Sequence, residues 1–394
     1  MRLFCFLAVL LLPVTALAGT VLVTVTRKGY EVRPTDLVRV PWDVLAGALP
    51  GVEPDKLVVR SADGTELPYQ FTNFHPEDRG GRYDSILFPH AFGAGERTAT
   101  FRVETAPTPR PPIAPLVFAR HVPERLDDFA WENNRIAHRI YGAGLATEAA
   151  GRGRMISSGV DVWCKRVAYP VIDRWYLRGH DAYHRDNGEG LDFYSVGTTR
   201  GAGGTAVWVN GRLSVSSNWS KVRVLANGPL RAVFEVEYGE WQASPTLWVR
   251  EKRRYTVDVD RNLHRIESTF VLSGAESATV ALGLGKHASA KAAVLGAGEE
   301  GKLVLWEEYP KPEEGSLGTA VGLLPRKGVE IAEDELNHLL LIPIRSGESL
   351  IYFAGAGWSR SGQFENQSSW KSYVESVLAA EADPLNVEVV HEAP

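Results

Sequence analysis

The chain has 394 residues, 44% hydrophobic and 23% charged, with a formal net charge of −5. That composition excludes disordered, collagen-like and coiled-coil proteins, and it offers no broad basic field to hold a nucleic acid or an anionic membrane. With 38 glycines, 23 prolines and 11 tryptophans, many turns and few long helices are expected, in two domains or one large β-rich unit.

Arg2, the apolar run Leu3–Leu12 and the small-x-small pattern Ala16-Leu17-Ala18 read as a signal peptide over residues 1–18, cleaved before Gly19. Its loss removes Cys5 and leaves Cys164 without an intramolecular disulfide partner. Val21–Thr26, Leu57–Val59 and Thr98–Val103 are strand-like, with Asp63-Gly64 as a turn, and define a small β-domain over residues 19–105. The proline-rich stretch 106–114 reads as an extended linker. Residues 115–394 carry a dense series of strand-like runs: 231–238, 247–257, 263–272, 279–284, 339–344 and 350–353. Turn signals such as Asn210-Gly211 and Ser346-Gly347 separate some of them. This density predicts an antiparallel β-sandwich, so the fold class is all-β. One helix is predicted near the end, from Trp370, Tyr373, Val374, Val377 and Leu378 at helical spacing behind Ser368 or Ser369.

Strand alternation sorts the polar residues by face. His138 shares a face with Ile136 and Ile140 and reads as a hydrogen-bonded core histidine, whereas Arg139 and Tyr141 line the other side. In the next strand Asp161, Trp163 and Lys165 share one face, with Cys164 buried behind it. A carboxylate, an indole and an ammonium suit an acidic sugar, but they suit a solvated Asp–Lys face equally well. The densest cluster runs from Tyr183 to Tyr194 and holds His184, Asp186, Glu189 and Asp192 among two tyrosines and two glycines. His184 can shuttle protons near neutral pH, and Tyr183, Glu189 or Asp186 can serve as its partner. The cluster can equally be a structural turn network, or hold a hard divalent cation such as calcium. No metal-binding spacing is recognised and no cofactor is expected. The glycine-rich segment 197–204 lacks the P-loop pattern and presents Arg200. Gly-x-Ser-x-Gly, His-Glu-x-x-His and Cys-x-x-Cys are all missing from the sequence, which weakens serine hydrolase, zincin and thiol-redox readings.

The strings Trp131-Glu132-Asn133, Arg139-Ile140-Tyr141-Gly142, Ser158 to Trp163 and Tyr183 to Tyr194, with Gly203-Gly204 and Asn227 to Arg231, resemble the bacterial domain of unknown function family numbered 4861. The resemblance implies a galactose-mutarotase-like supersandwich. It also implies export to the periplasm or beyond, and a place in the degradation of uronate polysaccharides such as pectin.

The expected partner is therefore an acidic oligo- or polysaccharide, with no nucleic acid and no membrane after signal cleavage; the oligomeric state is left open. Acid–base chemistry of a lyase or hydrolase leads, with an epimerase, a non-catalytic binder or a ligand-free envelope protein as alternatives. His184, Tyr183, Glu189 and Asp186 are the candidate catalytic residues. Substrate contact is assigned to Trp131, Arg139, Tyr141, Asp161, Trp163, Lys165, Asp192, Tyr194 and Arg200.

Overall fold

The computed structural model describes residues 19–74, 83–298 and 301–391, so the signal peptide reading lies outside the described residues. The chain is mostly β, built from several antiparallel sheets. The largest has eight strands in the order 219–227, 231–244, 247–258, 263–273, 349–358, 316–323, 302–308 and 291–298. Two five-stranded sheets complete the sandwich. One runs 212–214, 202–209, 277–285, 337–345, 330–333; the other runs 190–191, 161–165, 136–140, 128–132, 118–122.

Alternation drives the main sheet. Along Leu247–Asp258 every second residue is buried, and Val249, Tyr255 and Val257 join Phe234, Trp131 and Leu282 in one large core. The Asn210-Gly211 hairpin takes positive φ at both positions, as a tight turn matching strand twist requires.

The C-terminal helix, Gln367–Ala382, starts at Asn366, whose side chain accepts from Ser368 and Ser369 N–H while Ser369 reciprocates. The cap is thus two residues earlier than Ser368 and three earlier than Ser369, because Asn366 closes a capping box. Trp370, Val374 and Val377 face the large sheet with Trp306 and Phe353. Gly318 lets the helix come close: a Cβ there would sit 2.5 Å from the Trp370 ring.

In the N-terminal domain, Thr20–Thr26 lies between Thr98–Thr105 and a strand from the other end of the chain. Asn386–His391 pairs with Thr20–Thr26 from Val21↔His391 to Thr26↔Asn386. The last strand therefore belongs with the sheet of residues 19–105 and not with the sandwich. Its Val387 and Val389 pack on the core of Val21, Val23 and Phe101.

Candidate functional site

The short sheet containing 136–140 and 161–165 brings Arg139 and Asp161 opposite each other by register. Arg139 Nε donates to Asp161 Oδ2 at 2.5 Å, and Nη2 donates to Asp192 Oδ2 at 3.0 Å. Nη1 lies 3.7 Å from Asp128 Oδ2 and 3.4 Å from the Tyr183 hydroxyl. The guanidinium also lies over the Trp163 ring, 5.2 Å from its centroid. Three carboxylates thus share one cation, and all of them are buried.

Burial comes first in shifting the pKa values of Asp192 and Asp128, and the neighbouring charges second. Burial, and then the neighbouring Asp161 carboxylate, push Asp192 well above the usual carboxylate range despite Arg139. Burial raises Asp128 to about 6, with Arg139 and Arg125 pulling the other way. Asp128 Oδ2 accepts from the Tyr176 hydroxyl at 3.1 Å, while Oδ1 has no hydrogen-bond partner. Arg139 is held well above its normal value, because its carboxylates outweigh burial.

His184 connects this buried group to solvent. It is 37% exposed, and its Nε2 is 3.6 Å from Asp192 Oδ2. Its Nδ1 must carry hydrogen, since it meets the His180 carbonyl oxygen at 2.8 Å. The neutral ring therefore turns its Nε2 lone pair towards Asp192. Burial lowers the His184 pKa, and the partly opposing His180 hydrogen bond does not reverse this. A carboxyl with a raised pKa beside an imidazole with a lowered one brings the two groups closer in proton affinity, as proton transfer between them requires.

The remaining sequence candidates divide. Tyr183 is buried against Trp163, with centroids 4.8 Å apart, and helps wall the Arg139 cluster. Tyr141 is buried beneath the guanidinium, 5.5 Å from it, and burial raises its pKa. Lys165 is fully committed: Nζ meets Glu132 Oε2 at 2.5 Å and the Asn133 carbonyl at 2.8 Å, inside the protein. Glu132 also accepts from Val171 and Ile172 N–H, which anchors the helix Ile172–Arg178.

Glu189 is gripped by Arg174 at 2.5 Å and Arg178 at 2.8 Å, with Tyr169 and the Trp175 indole also donating. Burial raises its pKa, but these donors reverse the sign and hold it low, so it remains a carboxylate. Asp186 pairs with Arg166 and caps the turn at Gly188 N–H.

Trp131 stacks on His138 in the core, and His138 donates from Nδ1 to the Asp161 carbonyl at 2.8 Å. Burial lowers His138 to about 4, so it stays neutral. Cys164 is a buried free thiol whose pKa burial raises. Arg200 lies in the interior, on Ser158 and the Thr205 carbonyl, its pKa lowered to about 10 by burial and by Arg253. Tyr194 belongs to a second cluster, 4.6 Å from the His287 ring. There His287 bonds Glu307 at 3.0 Å and the Ser195 carbonyl at 2.9 Å.

Asp128, Glu132, Arg174 and Arg178 were missed by sequence reasoning. Asp128-Phe129-Ala130-Trp131-Glu132 does alternate, and extending that strand back two residues from Ala130, which pairs with Arg139, reaches Asp128. The two arginines lie on a seven-residue helix too short to show a clear period. Among the described residues no group of three or more His, Cys, Asp or Glu is arranged to hold a metal ion. No helix among them is long and apolar enough to cross a membrane.

This is a mostly β protein with a buried guanidinium–carboxylate centre. It belongs to the family described as Domain of unknown function (DUF4861), whose model matches residues 26–387. Uncharacterized protein P7 of Formosa agariphila is 31% identical over 332 residues, covering 81% of each chain.

Among solved structures, an alpha-mannosidase from Enterococcus faecalis aligns with 94% of this chain at 10% identity and a TM-score of 0.40. A glycosyl hydrolase family 38 protein from the same organism aligns with 95% at 10% identity and 0.43. The chain spans about half the length of those two, 46% and 47%.

Proposed function

We propose that the protein is an exported enzyme that processes an acidic, uronate-bearing saccharide by acid–base chemistry at Asp192 and His184. One observation carries the reading: the buried Asp192 carboxyl, whose pKa burial and the Asp161 carboxylate push up, stands 3.6 Å from a half-exposed imidazole. Proton transfer to or from a sugar oxygen or carbon needs such a pair near neutral pH. Arg139 fixes Asp161 and Asp192 and stops the cluster from flying apart by repulsion.

The cations for a substrate carboxylate are assigned to Arg174 and Arg178. Both are at least 40% exposed and share one carboxylate, Glu189, so one positive charge is left over. Lys165 and Arg200 are engaged inside the protein and do not serve this role. Because Arg139 already faces three aspartates, protonation of a glycosidic or ring oxygen is favoured over elimination assisted by Arg139. A pure binder would need open aromatic faces, and Trp131, Trp163 and Tyr194 are all buried.

The test uses purified protein with oligogalacturonides, rhamnogalacturonan and other uronate oligosaccharides. New reducing ends, unsaturated products by ultraviolet absorbance and epimers by proton NMR are followed together. Appearance of any product that vanishes in Asp192→Asn supports the reading. Binding without any product in all three assays contradicts it.

A further inference from the structure

A cleft of about 840 Å³ is lined by none of the residues around Arg139. It opens where the N-terminal domain, the proline-rich linker and the Gly228-Pro229 hairpin meet. Its volume falls in the range of roughly 300–1,000 Å³ common for small-molecule sites, and domain junctions are their usual place.

One wall carries three half-buried rings, Tyr69, Phe71 and Tyr83. Phe71 and Tyr83 lie 4.6 Å apart at 32°, and Tyr69 meets Phe71 edge-on at 5.7 Å. Trp42 braces Phe71 and Tyr83 from behind at 5.3 and 5.7 Å.

The walls are pinned to one another. Gln70 Nε2 donates to the Arg231 carbonyl at 2.9 Å, and its Oε1 accepts from Leu230 and Arg231 N–H at 2.7 Å each. The linker is tied in at both ends, by Arg110 N–H to the Asp55 carbonyl at 2.6 Å and by Leu116 N–H to the Pro229 carbonyl at 3.0 Å. The shape is therefore set before any ligand arrives.

We propose that this cleft binds a neutral oligosaccharide, at a site separate from the Arg139 centre and independent of the reading given for it. Aromatic rings suit the C–H faces of pyranose rings, and the Tyr83 hydroxyl, the Arg110–Glu66 pair and Asp55 suit their hydroxyl groups, while the Tyr69 hydroxyl donates to the Pro54 carbonyl. Charge selects against an anion: Arg110 is paired with Glu66, and Asp55 leaves the rim with one net negative charge.

The experiment is native electrophoresis of the purified protein through gels containing xyloglucan, galactomannan, pectic galactan, dextran or polygalacturonate, followed by titration with the matching oligosaccharide. At least one neutral polysaccharide should retard the protein. Tyr83→Ala and Arg110→Ala should each weaken that binding about tenfold or more, and His184→Ala should leave it unchanged. Arg110 is 38% exposed, so its variant reports on binding even if Tyr83→Ala fails to fold. The proposal is overturned by no retardation in any neutral gel, by retardation only with polygalacturonate, or by wild-type affinity in Arg110→Ala. Capture of a peptide in place of a glycan by the same residues also overturns it.

Discussion

Replacing Asp128 by Asn isolates the electrostatic cost of burying this carboxylate, which Arg139 only partly offsets. In the folded protein Asp128 titrates at about 6, against 3.8 for an ordinary aspartate. Its folded pKa is raised, so the stabilising effect of its proton is fully present below the unfolded value. That effect is lost as pH rises through the folded one, between roughly pH 4 and pH 6. A shift of about two units corresponds to roughly 3 kcal/mol, at 1.36 kcal/mol per unit.

Asn keeps an acceptor for the Tyr176 hydroxyl and never ionises. The stability difference, Asn variant minus wild type, should therefore climb by a few kcal/mol from pH 4 to pH 7 and then level off. Urea denaturation of both proteins at half-unit pH steps measures it. Parallel curves for the two proteins across that window would show that the buried carboxylates carry no such strain, and the reasoning about Asp192 would fall with it.

Other residues give sharper structural tests. Lys165→Met strands the buried Glu132 carboxylate and should cost about 3–5 kcal/mol in denaturation. Adding Glu132→Gln should recover part of that loss. Trp370→Ala empties the contact between the C-terminal helix and the sheet at Gly318 and should cost about 3–5 kcal/mol, read as a lowered thermal midpoint. Glu189→Gln weakens the grip of Arg174 and Arg178. Its expected signature is a KM changed more than kcat for a uronate substrate.

The strands were legible because the chain alternates. In Leu247–Asp258 burial alternates along the whole length, but the apolar pattern shows it only at the two ends, because Glu251 and Arg253 occupy buried positions as a pair. The destination of the last strand was not legible, since Asn386–His391 pairs with residues at the opposite end of the sequence and its short Val-rich pattern fits any sheet.

At the site, alternation placed Arg139 and Asp161 on facing strands, and the polar density around His184 marked the loop that delivers Asp192. The owner of each charge could not be read. Lys165 and Asp161 share a face in sequence, yet Glu132 two strands away claims the ammonium. Likewise Glu189 answers to arginines on a helix with no distinct period, and Arg200 turns inward where a glycine-rich loop suggested an open edge.

The central claim is that Asp192 and His184 exchange a proton with a bound saccharide. The direct measurement is kcat of wild type, Asp192→Asn and His184→Ala on a uronate oligosaccharide that the wild type converts, with folding checked by denaturation midpoint. Each substitution should lower kcat about a hundredfold or more while the protein stays folded. Wild-type turnover in either folded variant would contradict the account.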